Sequence, residues 1–411
     1  MVNQQLDPSH IMQTATAFWG SKVLLTAVEL DLFTTLGGDK LSASQLGEAL
    51  RLHPRSRYDF FDALVALGLL DREGDGLDGR YKNTPQTAAF LNKKSPRYIG
   101  GLPEMLNSRL FGFWNDLGTA LRTGKPQNET KHGGKSIFEE LYADQAALGQ
   151  FLDAMTGLQA ANFEMFAEKF DFTRYATVSD VGGALALLSR IVGARHPHLL
   201  FTSFDLPPVV PLARKRISEA GMQGRITAVG GDFFKDDLPN ADVVTMGNIL
   251  HDWNLEKKKV LIAKAYAALP SGGAFIVIEN IIDDARRENV FGLLMSLNML
   301  IEFGDAFDYT GTDFRAWCGE AGFTRFEIIR WLARPALRLR TNHEGISFPD
   351  NGPRGANGHN LTYAPQGRIS QKRTSAKSSA SALLGHAIMM RAAYRISATI
   401  GGGDGRDVWD R

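Results

Sequence analysis

Thr177-Val-Ser-Asp-Val-Gly-Gly-Ala-Leu-Ala186 is the stretch on which the fold turns. A short β-rich run ends on a carboxylate, meets two glycines and leads into a helical pattern at Leu188–Arg195. Such a run bounded by a turn reads as a buried strand. Glycine lets the backbone bend sharply and approach a ligand closely. The same unit repeats downstream. Leu199–Phe204, Arg225–Val229, Asp242–Met246 and Ala274–Ile278 each fit one buried strand, and Val210–Ala220, Glu256–Leu269 and Asn289–Phe303 fit helices. This alternation implies right-handed βαβ units, hence an α/β domain with a parallel, doubly wound sheet.

Ligands of such sheets sit beyond the carboxyl ends of the strands. The residues there are Asp180, Gly182 and Gly183; Asp205 and Leu206; Gly231, Asp232 and Phe233; Asn248, His251 and Asp252; and Glu279. One polar residue at a strand end means little, but ionisable groups at five successive ends argue for a constructed site. Asp205, closing the second strand, suits a pair of ribose hydroxyls. Asp232 suits an adenine amino group, with Phe233 packing on the ring. No G-x-x-x-x-G-K-[ST] loop is present, and the glycine turn after Asp180 lacks the full G-x-G-x-x-G spacing. An adenosine ligand lacking a pyrophosphate therefore fits better than ATP or NAD.

The flanking sequence differs in kind. From Ile11 to Phe33, apolar residues recur at helical spacing; Ser42 opens a capped helix, Arg55–Leu70 gives another, and Asp71–Tyr81 turns a short hairpin. That order is a winged-helix unit, read as residues 1–103. Such units often bind DNA, but no sustained basic stripe supports this. Residues 104–174 read as further helices lining a substrate pocket. Candidate pocket residues are Phe18, Trp19, Trp114, Met155, Met295, Asn298 and Met299.

Net charge is +1 over 411 residues, which gives no overall reason to expect nucleic acid or membrane as partner. One cysteine excludes an internal disulfide framework, and a polar N-terminus without a secretory pattern points to the cytoplasm. The average conceals an asymmetry: residues 332–411 hold 12 Lys+Arg against 5 Asp+Glu.

Val181-Gly-Gly, Phe204-Asp-Leu-Pro, Gly231-Asp-Phe-Phe, Ile249-Leu-His-Asp-Trp, Glu279-Asn and Ala321-Gly-Phe occur in one order. In this the chain resembles the S-adenosylmethionine-dependent small-molecule O-methyltransferases, the caffeate and acetylserotonin enzymes and their bacterial relatives, over about residues 10–331. The resemblance implies a Rossmann-like class I methyltransferase sheet at 175–331, a winged-helix dimerisation domain before it, a homodimer, and S-adenosylmethionine as cofactor without a metal. It implies that His251 is the general base, Asp252 orients substrate, Glu279 fixes the imidazole and Asp308 is the second such carboxylate. The substrate implied is a small hydroxylated molecule, aromatic or polyketide-like.

The chain departs from that family in two places. Its glycine loop has Ala184 and Ala186 where glycines are usual, and a Cβ costs most where φ is positive. After Arg325–Arg330, the apolar strand expected about ten residues later is missing. A Gly/Asn/Ser/Lys-rich stretch of disordered character follows, as after an altered reading frame, with Leu383–Ile400 patterned as one helix. Two other readings therefore stand beside methyl transfer: a relative with altered chemistry, or a non-catalytic homodimeric binding protein.

Overall fold

The computed structural model describes residues 6–132, 145–331 and 393–399. Strands β1 (Leu41–Ser42), β2 (Leu70–Glu73) and β3 (Arg80–Asn83) form a small antiparallel sheet in the order β1-β3-β2. Helices Ser9–Glu29, Leu32–Leu36, Ala43–Ala49 and Arg57–Ala66 accompany it, around a core that includes Leu32, Phe33, Leu36, Leu46, Phe61 and Tyr81. The single helix expected from Ile11 to Phe33 is divided, because Asp31 adopts a left-handed conformation (φ 56°) between the first two. Ser42 caps as expected, its hydroxyl accepting from the Gln45 N–H while the Gln45 side chain returns the bond.

The large sheet contains β4 (Thr177–Val181), β5 (Leu200–Asp205), β6 (Ile226–Gly230), β7 (Val243–Gly247), β8 (Ala274–Glu279), β9 (Arg325–Trp331) and β10 (Ala393–Thr399). Their order is β6-β5-β4-β7-β8-β10-β9, with the first five parallel. Every residue of β8 is buried, as a strand covered on both faces requires. One face packs on Phe166, Phe172, Val192 and Ile217, the other on Leu261, Ile262, Phe314 and Trp317. No helix among the described residues is long and apolar enough to cross a membrane.

The far edge corrects two expectations. The partner strand for β9 exists, and it comes from Ala393–Thr399, inside the segment patterned as a helix. β10 runs antiparallel between β8 and β9, pairing Ile396 with Val277 on one side and with Ile328 on the other. Two unsatisfied strand edges outweigh local helix propensity there, because each offers a row of backbone donors and acceptors. The disordered character assigned to residues 332–392 and 400–411 lies outside the described residues.

Deleting residues 393–411 should lower stability by several kcal/mol, at about 0.5–1.5 kcal/mol per lost hydrogen bond, and promote association through the bared edges. Thermal denaturation with light scattering measures both. An unchanged midpoint would remove β10 from the sheet.

Candidate active site

β7 ends at Gly247, and Asn248 turns the chain through a left-handed conformation (φ 53°) into the single turn Leu250–Asp252. Asn254 then caps the helix Leu255–Ala267, its side chain accepting from the Lys257 N–H at 3.1 Å. The turn is organised around Glu279 at the end of β8. Its Oε1 accepts from the backbone N–H groups of Ile249 (3.0 Å), Leu250 (2.7 Å) and His251 (3.3 Å), and its Oε2 accepts from the Tyr309 hydroxyl at 2.6 Å. Glu279 thus holds the turn that carries the ring, and its charge contributes to the raised pKa of His251.

The ring itself lies between two other carboxylates. His251 Nδ1 is 3.5 Å from Asp308 Oδ1, and Nε2 is 3.4 Å from Asp252 Oδ1. Nδ1 and Asp308 Oδ2 are buried and make no shorter polar contact. Asp308 is positioned from both sides: its N–H donates to Ser296 Oγ of the helix Val290–Phe303, and the Tyr309 carbonyl accepts from the Ile282 N–H. Burial alone would lower the pKa of His251, but Asp252 and Asp308 overcome it and raise it to about 10. Burial in turn raises Asp252 to about 6, against the pull of the imidazolium.

The second half of the site lies at β4 and β5. A Cβ on Gly182 would come within 2.2 Å of Ile249 Cδ1, and one on Gly183 within 2.3 Å of Ser203 Oγ, so only glycine fits this cradle. Asp180 borders it, its Oδ2 3.1 Å from where a Cβ on Gly183 would stand. Its carboxylate accepts from Ser189 Oγ (2.8 Å) and Thr245 Oγ (3.3 Å), and burial raises it to about 6. It thereby braces β4, β7 and the following helix. Asp205 accepts one backbone bond on each oxygen, from Ala184 (2.8 Å) and Leu206 (2.7 Å). Each oxygen retains acceptor capacity for a hydroxyl. Asp232 lies beyond β6, paired with Lys235 at 2.9 Å, and that pairing lowers its pKa. Phe233 meets Trp253 edge-on at 5.9 Å, and the buried Trp253 Nε1 has no partner. The glycine cradle and a carboxylate with acceptor capacity left on both oxygens suit an adenosine cofactor without phosphates.

Of the expected pocket residues, Trp114 and Asn298 are joined directly, Nε1 donating to Oδ1 at 3.0 Å. Met295 and Asn298 are half-buried and Met299 is buried on the helix Val290–Phe303. Met155 lies on the helix Gln145–Lys169, and its side chain falls outside the described residues. Phe18 and Trp19 are 54% and 61% exposed on the N-terminal helix, so within one chain they do not line an enclosed pocket. Apolar residues lie all round this helix, so their spacing does not tell core from outer surface. Two residues escaped the sequence: Tyr309, adjacent to Asp308, and Lys258, buried in a lysine run that reads as solvated. The available signal was spacing, since Lys258 shares a buried stripe with Leu261, Ile262 and Ala265.

Residues 114–324 match the O-methyltransferase domain family, and residues 12–93 match the O-methyltransferase dimerisation domain. The chain is 41% identical over 317 residues to the tetracenomycin polyketide synthesis 8-O-methyl transferase TcmO of Streptomyces glaucescens, covering 77% of this chain and 91% of that one. It is 36% identical to the N,N-dimethyltransferase OxyT of Streptomyces rimosus, covering 76% and 90%. Among solved structures, human N-acetylserotonin methyltransferase in complex with S-adenosylmethionine superposes with a TM-score of 0.72 at 28% identity, covering 80% and 96%.

The glycine loop holds a measurable strain. Ala184 (φ 48°) and Ala186 (φ 56°) both occupy the left-handed region, which costs a residue bearing a Cβ roughly 1–2 kcal/mol. Ala186 is fully buried and its methyl fills space, whereas Ala184 is half-buried. Ala184→Gly should therefore stabilise the protein by about 1 kcal/mol. Thermal denaturation of the two proteins checks it; a lower midpoint in the variant would refute the strain.

Proposed function

We propose that this chain, which belongs to the S-adenosylmethionine-dependent small-molecule O-methyltransferase family, uses His251 as the general base to methylate a hydroxyl on an aromatic, polyketide-like molecule. The observation that carries the reading is the buried imidazole held between Asp308 and Asp252. Nδ1 points to Asp308 in the interior, which leaves Nε2, beside Asp252, for the substrate hydroxyl. Asp308 stabilises the imidazolium that forms and holds the ring orientation. S-adenosylmethionine, when bound, supplies an electrophilic methyl group, so the protein's own task is to align the acceptor oxygen and take its proton.

The pKa balance favours this. A phenol titrates near 10 and an ordinary imidazole near 6.5, so complete transfer between them costs about 4.8 kcal/mol. With His251 raised toward the phenol range, to about 10, donor and acceptor are better matched and that cost falls. The cost moves to an earlier step, because the imidazole must first lose its solvent-derived proton. Asp205 and Asp232 are read as the ribose and adenine contacts, with Gly182, Gly183, Leu206, Gly231, Phe233 and Asn248 shaping the rest of the cofactor site. Trp114, Met295 and Met299 supply an apolar lining, and Asn298 a polar group within it. TcmO, by its name, acts in polyketide synthesis, which supports the substrate class. The dimerisation-domain match and the exposed Phe18 and Trp19 support a homodimer through the N-terminal region.

His251→Gln should retain S-adenosylmethionine binding by calorimetry while methyl transfer to a phenolic panel falls about 10²–10⁴-fold. Undiminished transfer would eliminate His251 as base; absence of cofactor binding in the unsubstituted protein would leave the non-catalytic reading. The pH dependence has a definite sign. Only the neutral imidazole accepts a proton, so kcat/KM should rise with pH, with the limb above about pH 7 rather than near 6.5. A limb at or below 6.5 would contradict the matched pair.

A further inference from the structure

Lys258 is the one lysine with no exposed surface among the described residues, and the mechanism above makes no use of it. Burying an ammonium is costly unless something specific compensates it. Its Nζ donates to the Trp253 carbonyl, one residue beyond Asp252. The same ammonium sits 3.8 Å from the centroid of the Phe307 ring and 5.6 Å from that of Tyr309, the residues on either side of Asp308. One cation thus touches both segments that carry the groups around the imidazole. Asp252, Glu279, Asp308 and Asp305 supply its negative surroundings, with His251 the other cationic group. Asp305 is itself tied to the turn, accepting from Asn254 Nδ2 at 2.8 Å.

On its own helix the neighbours are engaged elsewhere. Lys259 pairs with Glu320 at 2.7 Å, and Lys257 lies 4.8 Å from the Trp253 ring centroid. Lys258 alone of the run turns inward. Burial lowers its pKa to about 8, with the four carboxylates opposing the shift, so it stays largely charged at neutral pH.

We propose that Lys258 is a positioning residue for methyl transfer: its buried ammonium clamps the His251-Asp252-Trp253 turn to the Phe307-Asp308-Tyr309 segment and offsets the carboxylates that surround the base. The proposal rests on His251 acting as that base. Without the positive charge, those carboxylates hold the imidazole proton more tightly, and a larger share of the base is unavailable at neutral pH. The rising limb of kcat/KM then moves to higher pH, which loss of packing alone does not produce.

The test compares Lys258→Met, Lys258→Gln and Lys258→Arg with the unsubstituted protein, by pH profile, S-adenosylmethionine affinity and thermal denaturation. Methionine removes charge and donor together, glutamine removes the charge but keeps an N–H, and arginine retains the charge. The methionine and glutamine variants should both lose rate about three- to tenfold at a fixed pH near 7, where Lys258 is charged, an upward displacement of that part of the limb by about half a unit to one unit that fades above about pH 8. Cofactor affinity should change less than about twofold, the magnitude expected for a group that does not touch the cofactor. The arginine variant, if folded, should keep the original limb. Folded variants whose rate falls by one factor at every pH would overturn the proposal, and so would failure of both neutral variants to fold, since the ammonium would then be only a structural part. An active His251→Gln protein would instead overturn the reading of the base, so the two failures are distinguishable.

Discussion

One carboxylate oxygen receiving three successive backbone amides sets the geometry of this site. Glu279 Oε1 can accept from Ile249, Leu250 and His251 only if the chain curls around it, and the left-handed Asn248 makes that curl possible. Charge-assisted bonds of this kind contribute roughly 1.5–3 kcal/mol each, enough to hold a turn that packing alone would leave loose. The other oxygen takes the Tyr309 hydroxyl, and so fixes the residue beside Asp308. His251 and Asp308 are thus located by a third residue that hydrogen-bonds to neither of their side chains. The sheet enters here because β8, buried along its whole length, gives Glu279 a rigid base.

The parallel sheet was legible in the sequence because its strands are continuous apolar runs, a pattern that survives without knowledge of neighbours. Thr177–Val181 forms the strand that its pattern predicts, and the other four differ only at their ends. The grouping of His251, Asp252 and Glu279 at adjacent strand ends was legible for the same reason. What each carboxylate touches was not. Sequence order places Glu279 near the imidazole but does not say whether its oxygens meet the ring or the backbone, and the structure chooses backbone. Asp180 illustrates the same gap: its place at the ligand end of a strand is legible, but the bonds it accepts from Ser189 and Thr245 are not. β10 was hidden because its partners lie far away in the chain, where neither periodicity nor turn chemistry connects them.

The electrostatics of the site have a direction. Asp252, Glu279 and Asp308 place three carboxylates around one imidazole, and Lys258 offsets part of their charge. The field so arranged favours positive charge at the ring, and it is set in advance by groups that need not move. The strained Ala184 and Ala186 show the opposite economy, a cradle whose shape is kept at a cost in backbone conformation.

The late arrival of β10 governs how the chain can be made. β8 is complete at Glu279, yet the strand that covers its edge begins only at Ala393. At roughly 5–20 residues per second, the ribosome needs on the order of 5–20 seconds to supply it. During that interval the nascent protein offers an open, apolar β-edge to its neighbours, the form most prone to pairing with another chain. Synthesis faster than aggregation at that edge therefore favours the folded protein.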